Sequence, residues 1–382
     1  MVKELEKLNI KTKLLTPFEE DCKSFSEVDM VQLQNFGEKL HLSNFMYGTM
    51  RKIVYSKKFS SFIPYEKILE AISKKLANSI EKTLTEKPSI IQAEQEVAGL
   101  AVTSVAKKFG SKAIVDLHNI WPEELVVSGY IKRDNKTFRN LMNIEKKIVE
   151  KADGIIAVNE YMKEYLLTKF DVDNNKIIVV PPAGEVLSNN SDVMKKKSEE
   201  KKIVYSGLVT SREHVDLFVK SIPYVKSKFP KTNFIISEKG EAVNEIKHLC
   251  KSLSINPKFY WYKSRIKARD LLHKCYLGIL PSSNDIGRKL GTPLKLLEYM
   301  SMGLPVVAND IGSWCDIIQK EKIGILTKDD PKDFAKGICT LIEDPEMYYE
   351  MQKRTLKVIK EKFNWQIHVA KKLLPFYQKM LN

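Results

Sequence analysis

Short runs of β-branched and apolar residues alternate with longer amphipathic runs along this 382-residue chain. That alternation limits the fold more than any other feature of the sequence. Strand-like runs are SIIQAE (89–94), AIVDLH (113–118), GIIAVN (154–159), KIIVVPP (176–182), KIVYSGL (202–208), NFIISE (233–238), FYWY (259–262), LGILPS (277–282), PVVAND (305–310) and IGILT (323–327). Helix-like runs fall between most of them, such as PYEKILEAISKKLANSIEKTL (64–84) and VDLFVKSIPYVKSKF (215–229). Strands alternating with helices predict βαβ units and parallel sheets. Continuous apolar strands such as IIVV suit sheets covered on both faces.

The pattern breaks at LSNNSDVMKKKSEEKK (187–202), which is polar, highly charged and poor in apolar residues, as a linker should be. Each side of it carries several βα units, so an α/β chain of two doubly wound domains is expected. Ligands of such sheets bind at the carboxyl ends of strands near a switch point. Two domains facing each other would place the site in the cleft between them. The last stretch, FNWQIHVAKKLLPFYQKMLN (363–382), has helix periodicity. Read alone, it is a terminal helix packed on its own domain.

Composition narrows the function classes. Apolar residues make up 43% and charged residues 29%, an ordinary soluble composition. No apolar run reaches the roughly 18 residues of a membrane span. The opening MVKELEKLNIKTKLLTPF lacks the apolar core of a secretory signal. A cytoplasmic location follows as an expectation, with peripheral contact at the inner membrane face as its furthest extension. The net charge of +15 favours anionic partners. The lysines are spread as a solvated coat, and no basic motif with interleaved aromatics singles out nucleic acid, so none is expected. Cys22, Cys250, Cys275, Cys315 and Cys339 are scattered without a CxxC pair. They argue against a disulfide framework or a zinc site and for a reducing compartment. The histidines show no HExxH spacing, and no metal or other cofactor is expected.

The chemistry concentrates in GTPLKLLEYMSMGLPVVAND (291–310) and the loop before it, NDIGRKLG (284–291), which holds Asp285, Arg288 and Lys289. Thr292 reads as an N-cap and Pro293 as the first helical residue. The free amides of such a first turn make an anion site. Lys295 in that turn opposes the helix dipole unless an anion is held there. Glu298 follows one turn deeper, on an otherwise apolar helix. Two readings stand: Lys295 and Glu298 form an intrahelical ion pair, or a base and amides hold a diphosphate while the carboxylate takes ribose hydroxyls.

At this point a family enters. PLKLLEYMSMGLPVVAND resembles the donor-binding motif of GT-B glycosyltransferases, specifically the retaining glycosyltransferase family 4 (glycosyl transferases group 1). SIIQAEQEVAGLAVTSVAKKFGSKAIVDLHN, IEKKIVEKADGIIAVNEYMKEYL, KIIVVPPAGE and KIVYSGLVTSREHVDLFVKSI resemble further segments of that family, in the family's order, across roughly residues 85 to 375.

The resemblance implies a GT-B fold. It comprises a Rossmann-like, acceptor-side domain over 1–186 and a linker over 187–202. A nucleotide-sugar-binding domain over 203–362 and a helix over 363–382 crossing back to the N-terminal domain complete it. It implies transfer of a sugar, with retention, from a nucleotide-diphosphate sugar to a glycan or lipid-linked acceptor, without a metal. Carried over residue by residue, Glu298 binds the ribose and the helix start at Thr292 and Pro293 faces the diphosphate. Lys295, Arg212, Gly207, Asp285 and Arg288 complete the donor site. His118 lies by the donor sugar as the candidate catalytic residue.

Three departures accompany the resemblance. Leu290 stands where the family has its first, sugar-facing glutamate, so Asp285 or Asn284 is expected to take over its contacts. The usual Lys-Gly is Glu213-His214 here, with Arg212 substituting at an offset of one. The chain opens on what reads as the family's first helix and second strand, so its first strand and glycine loop are missing, and a mis-set start is expected. Leu290 and Glu213 keep a non-catalytic or truncated binding protein of the same fold open as an alternative. A sugar-nucleotide epimerase or a phosphorylase of that architecture is the other. NFMYGTMRKIVYSKKFSSFIPY (44–65) mixes bases and aromatics, which suits an anionic membrane surface and a lipid-linked acceptor.

Overall fold

The computed structural model describes residues 1–12, 14–16, 30–32, 64–186, 201–261 and 264–382. Nearly all of the basic-aromatic segment 44–65 and of the linker 187–202 lies outside these residues. Each apolar run named above forms a strand. The chain divides into two units, one of Met1–Pro181 with Trp365–Asn382, the other of Pro182–Asn364.

The first unit opens with the helix Val2–Glu6 and strand β1 (Leu14–Thr16), which pairs in parallel with β2 (Met30–Gln32). Its main sheet is parallel, in the order β3 (Ile90–Glu94), β4 (Lys112–Leu117), β5 (Gly154–Ala157), β6 (Ile177–Val179). The helical stretch from Trp365 to Leu381 belongs to this unit. Its Val369, Leu373 and Phe376 pack with Leu5, Ile114, Ile156 and Val180. Gly154 makes that packing feasible, because a Cβ there would meet Phe376 Cζ at 2.8 Å.

Inside the same unit the carboxyl groups of Glu96 (helix Gln95–Phe109) and Glu145 (helix Lys136–Lys151) are both buried. Glu96 Oε1 accepts from the Trp121 amide at 3.1 Å. Burial, and then the charge of Glu96, holds the Glu145 carboxyl well above its ordinary range. Two adjacent carboxylates are costly to ionise together in an apolar interior, so the protonated form of Glu145 is favoured. The unfolded chain gives up that proton near pH 4.3. Stability is therefore fully present below that pH and is lost as pH rises toward the folded value. Glu145→Gln is expected to be at least as stable as the parent at pH 7 and to flatten this decline. Chemical denaturation between pH 4 and 8 checks it, and a variant that keeps the parent's slope counts against the assignment.

The second unit is one parallel sheet in the order β12 (Gly324–Thr327), β11 (Val306–Asn309), β10 (Leu277–Leu280), β7 (Lys202–Tyr205), β8 (Asn233–Ser237), β9 (Lys258–Tyr260). Strand residues alternate between two cores. Ile203, Tyr205, Phe234, Ile236, Leu277, Ile279 and Val307 enter one, while Val204, Ile235, Leu280, Val306 and Ala308 enter the other. Period-two alternation with apolar residues on both faces is the mark of a sheet covered by helices on each side. Strand order runs outward from β7 in both directions, so the switch point lies between β7 and β10.

Candidate active site

The loops that leave the carboxyl ends of β7 and β10 carry the charged cluster of the second unit. This is the position where open α/β sheets bind ligands. After β7 the chain turns at Gly207 (φ +148°) and enters a short 3-10 turn, Ser211–Glu213. A side chain at Gly207 would reach Lys295, its Cβ 3.1 Å from Cε and 3.2 Å from Nζ. After β10, Asp285 caps the short helix Ile286–Leu290 by accepting from the Arg288 amide at 3.2 Å. The segment 284–291 is therefore not all loop: an aspartate three residues before Arg288 nucleates a turn of helix.

The next helix runs Leu294–Ser301, with Pro293 as its N-cap and no side chain capping it. This corrects the expectation that Thr292 caps and Pro293 opens the helix. Pro293 is itself extended, with ψ 123°, and takes the N-cap position. The helix thus starts one residue later. Its uncapped end lies over the switch-point cluster.

Five charged side chains interlock there. Arg212 forks onto Asp285, with Nη2 at 2.8 Å from Oδ1 and Nε at 3.3 Å from Oδ2. Ser283 Oγ donates to Asp285 Oδ2 at 2.7 Å. Glu213 bridges two cations, accepting from Arg288 Nη2 at 2.9 Å and from Lys295 Nζ. Lys295 Nζ also reaches the buried Tyr205 hydroxyl at 3.1 Å. That hydroxyl donates to the Leu208 carbonyl at 2.6 Å. Burial pushes the Glu213 carboxyl up, but Lys295 and Arg288 outweigh it and hold the group below the ordinary carboxylate range. Asp285 is likewise lowered: burial pushes it up, and Arg212 and Ser283 outweigh it.

The ion pair once open between Lys295 and Glu298 is replaced by Lys295–Glu213. Glu298 is exposed on the helix, so its charge carries no burial cost. Burial lowers the Lys295 amine from its ordinary value, against which Glu213 and, more weakly, Glu298 favour the charged form. Leu290, at the place of the family's first glutamate, is 2% exposed. Asp285, expected to stand in for that glutamate, has both carboxylate oxygens engaged by Arg212, Ser283 and the Arg288 amide.

In the first unit, His118 follows the carboxyl end of β4. Its Nε2 stands 3.6 Å from Oδ1 of Asp116, with 46% of the His118 side chain exposed. Burial raises the Asp116 carboxyl to about 6; His118 lowers it and Glu94 raises it. Glu94, Asp116 and His118 form the one group of three potential metal ligands among the described residues, their ligand atoms within 4.8 Å of one another.

Sequence reading missed Tyr205, Asp116 and the bridging role of Glu213. Asp116 was within reach, since DLH places two polar side chains at positions i and i+2, on one side of a strand end. Tyr205 and Glu213 carry no local signal, because their partner Lys295 lies 90 and 82 residues away.

The model of the family described as "Glycosyl transferases group 1" matches residues 188–358, and that of "Glycosyltransferase Family 4" matches residues 1–183. An uncharacterized glycosyltransferase of Methanocaldococcus jannaschii is 25% identical over 275 residues, 67% of each chain. Another, of Haemophilus influenzae, is 25% identical over 155 residues, 40% of this chain and 42% of the relative, so the chain matches less than half of that relative's length. Among solved structures, a glycosyltransferase from Rickettsia africae superposes with a TM-score of 0.69 at 14% identity, covering 100% of this chain and 93% of that one. Anabaena Alr3699/HepE in complex with UDP-glucose gives 0.65 at 14% identity, covering 99% and 93%. Two family models in tandem, and solved structures of the same two-unit architecture, make this chain a GT-B glycosyltransferase of the group 1 and family 4 kind.

Proposed function

We propose that this glycosyltransferase takes a sugar from a nucleoside-diphosphate sugar, with retention at the anomeric carbon, and passes it to a glycan or lipid-linked acceptor. The observation that carries the donor reading is the cluster of Arg212, Arg288 and Lys295 at the carboxyl ends of β7 and β10. Breaking the bond between sugar and diphosphate leaves negative charge on the leaving oxygen. Fixed cations and an uncapped helix end meet that charge without reorganising. Glu298 is the acceptor for two ribose hydroxyls, and His118 the residue beside the sugar. The structural neighbour seen with UDP-glucose supports a uridine nucleotide as the first donor to test. Among the described residues no helix is long and apolar enough to cross a membrane. Work at a cytoplasmic membrane face, on a lipid-linked acceptor, is the proposed setting.

A thermal-shift panel with UDP, GDP and ADP tests the donor site. A ligand at a hundred times its dissociation constant stabilises by about 2.7 kcal/mol. Glu298→Ala, deleting hydrogen bonds to a charged group, is expected to weaken the effective nucleotide by roughly 10- to 100-fold. A shift that survives intact in the variant removes Glu298 from the site.

A further inference from the structure

Every cation of the switch-point cluster already holds a carboxylate of this chain. Arg212 holds Asp285, and Arg288 and Lys295 share Glu213. The two carboxylates are held differently. Asp285 is fixed by the backbone it caps and by Ser283 Oγ. The hydrogen bonds to Glu213's carboxylate come from the side chains of Lys295 and Arg288, with the Tyr205 hydroxyl oxygen 3.2 Å away. It projects from a three-residue 3-10 turn, so it is free to rotate away without unwinding an element. Lys295, in the first turn of its helix, is unfavourable against the helix dipole without a nearby anion. Glu213 supplies that anion. Arg288 Nε is buried with no hydrogen-bond partner, so Glu213 leaves part of that guanidinium unsatisfied. An anion with more oxygens than a carboxylate is what the unsatisfied donor fits.

We propose that Glu213 is a built-in counter-anion that holds Lys295 and Arg288 when no diphosphate is bound and competes with the diphosphate for them. The proposal rests on the donor reading above. Binding is then an exchange of one anion for another, and its net gain is smaller than two free cations would give. Release of the product nucleoside diphosphate is eased for the same reason. The carboxylate returns, and no buried cation is left unpaired.

The test is titration calorimetry on the full chain with inorganic pyrophosphate and with UDP, GDP and ADP. The variants are Glu213→Gln, Glu213→Asp and the double variant Glu213→Gln with Lys295→Met. Glu213→Gln keeps the shape and removes the charge. It is expected to bind pyrophosphate about tenfold more tightly or better, with a steeper loss of affinity as salt rises. Glu213→Asp, one methylene shorter, is expected to show a smaller gain. In the double variant the gain disappears. Misfolding does not produce tighter binding, so the sign of the change separates this role from a structural one. If the parent binds a nucleoside diphosphate and neither single variant binds pyrophosphate more tightly, the counter-anion role is overturned and the donor reading stands. If no chain binds pyrophosphate or any nucleoside diphosphate, both fall.

Discussion

Lys295→Met is expected to lower the rate of glycosyl transfer by about 10²–10³-fold, the usual effect of deleting one donor aimed at developing charge. Methionine keeps an unbranched stem of similar length and removes the ammonium, whose Nζ sits 4.7 Å from the Tyr205 ring centroid. What is lost is the charge that meets the leaving diphosphate. A second effect comes with it, because Glu213 keeps only Arg288 as its cation. Breaking one side of a largely buried ion pair destabilises the fold by itself. The two effects separate in the double variant Lys295→Met with Glu213→Gln, which removes both charges. Denaturation of that protein is expected to return toward the parent, while transfer stays low. Steady-state and single-turnover rates with donor in excess complete the measurement. If activity returns along with stability, Lys295 is a structural cation and the transition-state role is lost.

The same residue shows how far a sequence carries such an argument. The strands were legible because continuous apolar runs such as IIVV and PVVA fit the interior of a parallel sheet and little else. The return of the last helix to the first unit was legible through family resemblance. The conflict at Lys295 was also visible, as a cation at the wrong end of a helix. Its resolution was not. An external anion was expected, and the fold supplies Glu213 from 82 residues upstream. No local pattern encodes a bridge made by chain reversal across two βα units. Glu213 therefore read as a defect in a motif when it is the hub of the cluster. The helix start was misplaced for a different reason. Thr-Pro satisfies the preferences of N-cap and first turn on paper, but Pro293 adopts an extended ψ of 123° and the helix begins at Leu294. Where the decisive term was a local hydrogen bond, as for Asp285 capping Ile286–Leu290, the signal lay in the sequence and was outweighed by its polar surroundings.

Gly278→Val is expected to cost unit two about 3 kcal/mol or more, at or beyond the upper end of core overpacking. Gly278 lies in β10 under the ring of Tyr299, and a Cβ there would sit 2.5 Å from Cδ2 and Cγ of that ring. Tyr299 has no room to yield, since it is fully buried. Its hydroxyl accepts from the Ser206 amide at 2.8 Å and lies 3.2 Å from the Ile279 carbonyl. That anchor ties the helix of Lys295 and Glu298 to the turn at Gly207, so a displaced ring disturbs the donor site as well as the core. For a unit of this size the loss corresponds to a fall in Tm of roughly 6 to 12 °C. Chemical denaturation checks the stability, and nucleotide binding below the transition checks the site. Tyr299→Phe separates the two roles, because it keeps the ring over Gly278 and removes the hydroxyl. It is expected to cost about 1–3 kcal/mol for the unsatisfied amide and to weaken nucleotide binding. Normal stability and normal binding in both variants would show that the contact between ring and glycine does not hold the donor site in place.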